Sequence, residues 1–260
     1  MNRKAIYSII GIVVAIAVIA LAASQAVGGG NAAMDNVAVQ QTVLARLGTI
    51  ANNYTLASDI GKGVVNLNWM PSKTDRTTVL MTNGKPVVLY IGADYCPNCA
   101  AVRWGLILAL DRFGNFTSLH YMTSSASDSA PNTPTFTFFN SSYYSPYITF
   151  ESVELYTNKY PYQVLQAPNS MENSTFNFFD PQGGTPFVDF GNITVQLGAE
   201  FSPMLINNST WDAIIGSLDD PSSIAAQAII GNANVFTAQI CRIINNSAGV
   251  CSQQFVKRLE

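Results

Sequence analysis

The sequence predicts a mixed α/β fold, and three observations carry that prediction. An apolar run over residues 86–92 reads as a buried strand, and it opens directly into the motif Tyr95-Cys96-Pro97-Asn98-Cys99. Residues 100–110 follow as a helix with apolar side chains on most of its faces. Much later, Thr185-Pro186 leads into a strand, a turn, a second strand and two terminal helices. Strand, helix, strand, then strand, hairpin and helix is an order that mixes parallel and antiparallel pairing.

Taken in order, the chain begins with a signal for export. After Arg3 and Lys4, the nineteen residues 5–23 carry no charge. As a helix they rise about 28 Å, close to the hydrocarbon thickness of a bilayer. Positive charge before the span keeps the N-terminus in the cytoplasm and sends the remainder outside. Residues 1–24 are thus read as a transmembrane signal-anchor; a cleaved signal peptide competes, because Ala20-Leu21-Ala22 resembles a cleavage site. Residues 25–60 form a linker, with Gly28-Gly29-Gly30 at its start, and an amphipathic helix over residues 34–53 in which Val37, Val43, Leu44, Leu47 and Ile50 recur at helical spacing. Residues 61–260 are read as one domain with an insertion near 124–180.

Within that domain a short strand is expected at 78–81, the main strand at 86–91 and the cysteine helix at 97–113, ending before Gly114. A strand at 116–123 follows, then a turn-rich stretch over 124–146 with one aromatic strand-like run at 135–139. A strand at 147–156, a helix at 170–179, a hairpin closing over 193–197, and helices at 210–218 and 222–244 complete the reading.

Composition agrees with an exterior location. Charged residues make up only 11% of the chain and the net charge is −3. Asn-x-Ser/Thr sequons begin at Asn53, Asn115, Asn140, Asn173, Asn192, Asn207, Asn208 and Asn245, about twice the number chance would give. A glycosylated surface is the expectation, and neutral polar groups would keep it solvated in acid. The absence of a basic patch argues against nucleic acid as a partner.

Two cysteines three residues apart in the first helical turn lie on one face, close enough to form a disulfide. The first keeps its sulfur near unpaired backbone N–H groups at the positive end of the helix, which favours a thiolate. Pro97 at the first helical position loses no hydrogen bond. The other pair, Cys241 and Cys251, is expected as a structural disulfide closing a loop of about ten residues and adding about 2–3 kcal/mol. A second redox pair is the alternative.

The strand, the cysteine motif opening a helix, and the later Thr-Pro before a hairpin and terminal helix resemble the thioredoxin fold. More narrowly, residues 84–101, 121–128 and 132–138 resemble an uncharacterised archaeal family of membrane-anchored, thioredoxin-like proteins, a domain of unknown function. The resemblance implies Cys96 as the exposed attacking thiolate and Cys99 as the buried resolving thiol. It implies that Pro97, Asn98 and Tyr95 tune the pair, and that Thr185-Pro186 is a cis-proline loop pairing with an extended substrate. The cofactor implied is the Cys96–Cys99 disulfide itself, with nothing else bound. Departures matter too: Tyr90 stands where thioredoxins carry a buried acid, Ala100 where lysine is usual, and Tyr95 where tryptophan is usual. Tyr90 is expected as a packed core residue and Asp94 as a solvated turn residue.

Three functions follow as expectations. The first is an extracytoplasmic, membrane-anchored thiol–disulfide oxidoreductase whose partners are exported proteins and a redox partner that recharges the pair. The second is a copper or zinc carrier in which Cys96, Cys99 and His120 form a site with an added carboxylate or Met122; the chain lacks the second ligand pair of a structural zinc site, and no metal ligand is assigned. The third is a binding module without catalysis, whose aromatic insertion over residues 136–147 grips a partner.

Overall fold

The computed structural model describes residues 31–66 and 71–260. The apolar segment 5–23 and the glycine linker lie outside the described residues. Among those described, no helix is long and apolar enough to cross a membrane.

The centre of the molecule is strand β3 (Lys85–Gly92). It pairs in parallel with β6 (Thr149–Glu154), from Val87 opposite Thr149 to Gly92 opposite Glu154. On its other side it pairs antiparallel with β7 (Phe187–Phe190), which in turn pairs antiparallel with β8 (Thr194–Leu197). Two two-residue strands, β1 (Ser72–Lys73) and β2 (Met81–Thr82), add to β8 and to β3 respectively. The turn between β7 and β8 uses Gly191 and Asn192, both at positive φ, as a tight hairpin requires.

Because β3 is covered on both faces, it is apolar without a break rather than alternating. Val88 and Tyr90 face one layer, with Val188 and Phe190 beside them. Val87, Leu89 and Ile91 face the other, closed by Phe176 of helix α4 (Ser170–Phe179). Helix α3 (Pro97–Leu110) and helix α6 (Ile224–Ile243) form the first layer. They approach closely at Gly105, where a Cβ would fall on the Asn232 side chain.

Helix α1 (Gln41–Ala51) buries Leu44, Leu47 and Ile50 against the same core, so the amphipathic segment packs on the domain. The chain then makes a second turn of helix, α2 (Tyr54–Ile60), capped by the Asn53 side chain, where no helix was expected. Helices α5 (Trp211–Ser217) and α7 (Gln254–Lys257) complete the set.

The expected insertion sits differently. The strand expected at 116–123 forms as β4 (Asn115–Thr123), but outside the main sheet: it pairs with β5 (Pro134–Tyr144) in a long antiparallel hairpin, and its other edge bonds residues 36–39. The strand that runs parallel to β3 is β6, which falls within the expected insertion. Two indole N–H groups fix the hairpin against the helical layer: Trp104 donates to the Pro134 carbonyl at 2.8 Å and Trp211 to the Thr135 carbonyl at 2.6 Å. The Thr135 hydroxyl donates to the carbonyl of Ala100 at 2.9 Å. These bonds hold β5 on α3, and β6 then returns to the edge of β3.

Candidate functional site

Strand β3 ends at Gly92, and the chain turns through Ala93, Asp94 and Tyr95 before α3 begins. Cys96 is the residue just before the helix, in extended backbone with φ −77° and ψ 119°. Its sulfur accepts the backbone N–H of Cys99 at 3.1 Å, the role a serine or aspartate plays at other helix starts. Pro97 follows at the first helical position and Asn98 points to solvent.

Cys96 and Cys99 are both thiols, and both are buried: Cys96 is 6% exposed and Cys99 is 0%. The expectation of an openly exposed attacking sulfur is corrected, because the loop at Thr185 covers it. The Cys96 thiol lies 3.9 Å from the Thr185 carbonyl, and the Thr185–Pro186 bond is cis. The structure therefore brings Cys96, Cys99, Pro97 and Thr185-Pro186 to one place.

The two thiols are held apart in acidity. Hydrogen bonding from the Cys99 thiol lowers Cys96 below the ordinary thiol value, helped by the Cys99 N–H and the Arg103 charge, against the opposing effect of burial. Cys99 is raised well above that value, first by burial and then by the neighbouring Cys96. A thiolate is thus favoured on the sulfur nearer the surface.

Below the pair lies a charge cluster that the sequence did not announce. Arg103, one helical turn beyond Cys99, is wholly buried. Its Nε and Nη2 donate to the two carboxylate oxygens of Glu154 at 2.8 and 2.7 Å, a bidentate clamp. Nη2 also donates to the Ala93 carbonyl at 2.8 Å and, more weakly, to Asp94 at 3.4 Å. Asp94 is only 2% exposed, which overturns its reading as a solvated turn residue. Burial, reinforced by Glu154, raises its carboxyl to about 7. Tyr90 is a packed core residue as expected; its ring meets Phe138 edge-on at 5.0 Å, and its hydroxyl has no partner and abuts Gly92. The signal for the cluster was Arg103 itself, the one charge in α3, since a buried guanidinium requires a partner.

Tyrosines rim the motif on one side. Tyr95 stacks on Tyr162 at 4.4 Å, with Tyr156 at 6.2 Å, and Tyr162 donates to the Ser125 hydroxyl at 2.9 Å. On the other side, Asn98 borders a groove of about 360 Å³ with Leu197, Phe201 and Pro203. His120 and Met122 line a separate pocket of about 660 Å³ with Asp94, and neither cysteine borders it. Among the described residues, no group of three or more His, Cys, Asp or Glu side chains is placed to hold a metal ion.

Cys241 and Cys251 are joined by a disulfide with a Cα–Cα distance of 5.6 Å, inside the core between α6 and α7.

No curated protein and no solved structure matches the chain. Residues 74–175 match a family described as a domain of unknown function (DUF929). The matched segment takes in the cysteine motif, Asp94, Arg103 and Glu154 and stops before Thr185-Pro186, so the part of the site similar to that family is the motif with its buried charge cluster.

Proposed function

We propose that the chain is a thioredoxin-like thiol–disulfide oxidoreductase that works outside the cytoplasm, tethered by its apolar N-terminal segment, on disulfides of exported proteins. One observation carries the reading: a pair of free thiols at a helix start, with the outer sulfur accepting the Cys99 N–H at 3.1 Å and facing the Thr185 carbonyl at 3.9 Å. A thiolate held this way is a nucleophile, and a second thiol three residues on is positioned to resolve the mixed disulfide. The strand order β6-β3-β7-β8, with β3 central between a parallel and an antiparallel neighbour, supports the fold assignment. The Cys241–Cys251 disulfide supports an oxidising compartment.

In the reaction, the Cys96 thiolate attacks one sulfur of a substrate disulfide, forming a mixed disulfide and releasing a substrate thiolate. Cys99 then attacks the Cys96 sulfur; the Cys96–Cys99 bond forms and the second substrate thiolate leaves. The substrate gains two electrons and the pair is oxidised. Run backwards, the same steps oxidise a dithiol, and the potential of the pair against its partner sets the direction. The Thr185 backbone would pair with an extended substrate segment once the Cys96 proton is lost, and the tyrosine rim would supply apolar contact. The test is capture: Cys99→Ser should retain exported partners as mixed disulfides that Cys96→Ser does not. The reading fails when neither variant captures a partner and the purified chain neither reduces, oxidises nor isomerises a model disulfide.

A further inference from the structure

We propose that the buried Arg103 guanidinium, clamped by Glu154, is what lets Cys99 act as a thiolate in the resolving step of that exchange. The inference rests on the disulfide-exchange reading above. Cys99 is fully buried, and its only route to reactivity is loss of a proton in surroundings that disfavour charge. Tyr90, in the strand behind it, offers no base: it is neutral, buried and without a hydrogen-bond partner. Arg103 sits one helical turn along the same face of α3, and its charge favours the thiolate of Cys99 as well as that of Cys96.

The clamp leaves part of that charge uncommitted. Nε and Nη2 are taken up by Glu154, Ala93 and Asp94, but Nη1 is buried with no partner. A guanidinium N–H left unpaired in the core is costly, so one carried by the residue a helical turn beyond a reactive thiol calls for an explanation. A developing thiolate nearby supplies it. The charged and titratable groups around Arg103 are Glu154 on β6, Tyr90 on β3, Asp94 on the turn after β3, Cys96 just before α3 and Cys99 in its first turn; Asp35 from the N-terminal segment acts on Asp94, and His120 and Lys159 border the pocket beyond it.

In the resolving step the Cys99 proton passes to water. Cys99 sulfur bonds to Cys96 sulfur, the bond from Cys96 to the bound thiol breaks, and that thiol leaves with the electron pair. Arg103 exchanges no atoms; it is a positioning residue acting through Cys99.

The experiment uses the reduced full chain in mild detergent with 5,5′-dithiobis(2-nitrobenzoate). Each chain releases one yellow thiolate when Cys96 attacks and a second when Cys99 resolves, so the two steps appear as two phases. The double variant Arg103→Met with Glu154→Gln removes the ion pair without stranding a charge. It should slow the second phase about tenfold or more and move its pH midpoint up, with a smaller effect on the first. Glu154→Gln alone leaves Arg103 less compensated and should move the second-phase midpoint down. Opposite signs are the signature, because a purely structural role slows the second phase in both. Unmoved midpoints, or shifts of the same sign, overturn the inference. Should the double variant not fold, the direction of the Glu154→Gln shift decides alone. A wild-type chain that releases no thiolate overturns the disulfide-exchange reading itself, whereas a two-phase wild type with unmoved variants overturns only the role of Arg103.

Discussion

Cys96 and Cys99 stand three residues apart at the start of α3 and remain thiols, whereas Cys241 and Cys251, ten residues apart at the end of α6, are joined. Burial does not distinguish the pairs, because all four cysteines are 6% exposed or less. The surroundings do. The first pair meets the Cys99 side chain and backbone N–H, the Thr185 side chain and the Arg103 guanidinium, each of which favours the Cys96 anion; the second lies in the main apolar core. A thiol becomes chemically useful where fixed dipoles and charge can stabilise its anion, and a sulfur without them serves as a crosslink.

Removing each pair in turn should separate their roles. Cys96→Ser should abolish thiol exchange with a model disulfide, a loss of at least a hundredfold read by insulin turbidity or glutathione exchange. The Cys241→Ala, Cys251→Ala double variant should leave that rate within about twofold at a temperature where it is folded. Its cost falls on stability instead: loss of the disulfide should lower unfolding free energy by about 2–4 kcal/mol, measured by urea denaturation. Equal effects of both changes on exchange would erase the distinction.

A second test concerns acidity. The lowered Cys96 thiol should alkylate with iodoacetamide with a midpoint below the ordinary cysteine value of about 8.5, and Cys99 should resist until higher pH. Stability should also respond to pH. Asp94, Asp111 and Asp189 are each raised to about 7, chiefly by burial. A carboxyl raised above its unfolded value contributes stability that is complete below about pH 4 and is lost as pH rises through 7. The melting temperature should therefore be higher at pH 5 than at pH 8. Asp111→Asn, removing one such group, should flatten that dependence by about 2–4 kcal/mol over the range. A stability that rises from pH 5 to 8 would refute the assignment. The smallest effect is expected at Asn98, exposed and unbonded in the site: Asn98→Ala should change stability by under about 0.5 kcal/mol, so any change in reduction potential reports the motif and not the fold.

Much of this arrangement was legible in local pattern. The unbroken apolar run of β3, the proline after Cys96 and the paired cysteines near the C-terminus are short-range signals, and each lies where those signals put it. What the pattern could not carry was partner choice between distant segments. Residues 115–123 have the composition of a strand whether they join β3 or β5; in the fold both of their edges are taken, by β5 and by the distant residues 36–39. Asp94 looked like a turn residue because the groups that bury it, Arg103 and Glu154, come from a helix and a strand beyond the motif. Buried charge is a property of three-dimensional neighbours, and sequence gives it away only through an isolated arginine in an apolar helix.

Helix α3 is buried at every position except Asn98, with the hairpin on one flank, α6 on another and β3 beneath. The element that carries the thiols is thus also the axle on which the whole domain turns. Its residues cannot drift for the sake of new chemistry without loosening the fold, nor be repacked for stability without disturbing the thiols. Specificity in such a design has to evolve at the margins, in the tyrosine rim and the loops beside Asn98, while the helix itself stays nearly frozen.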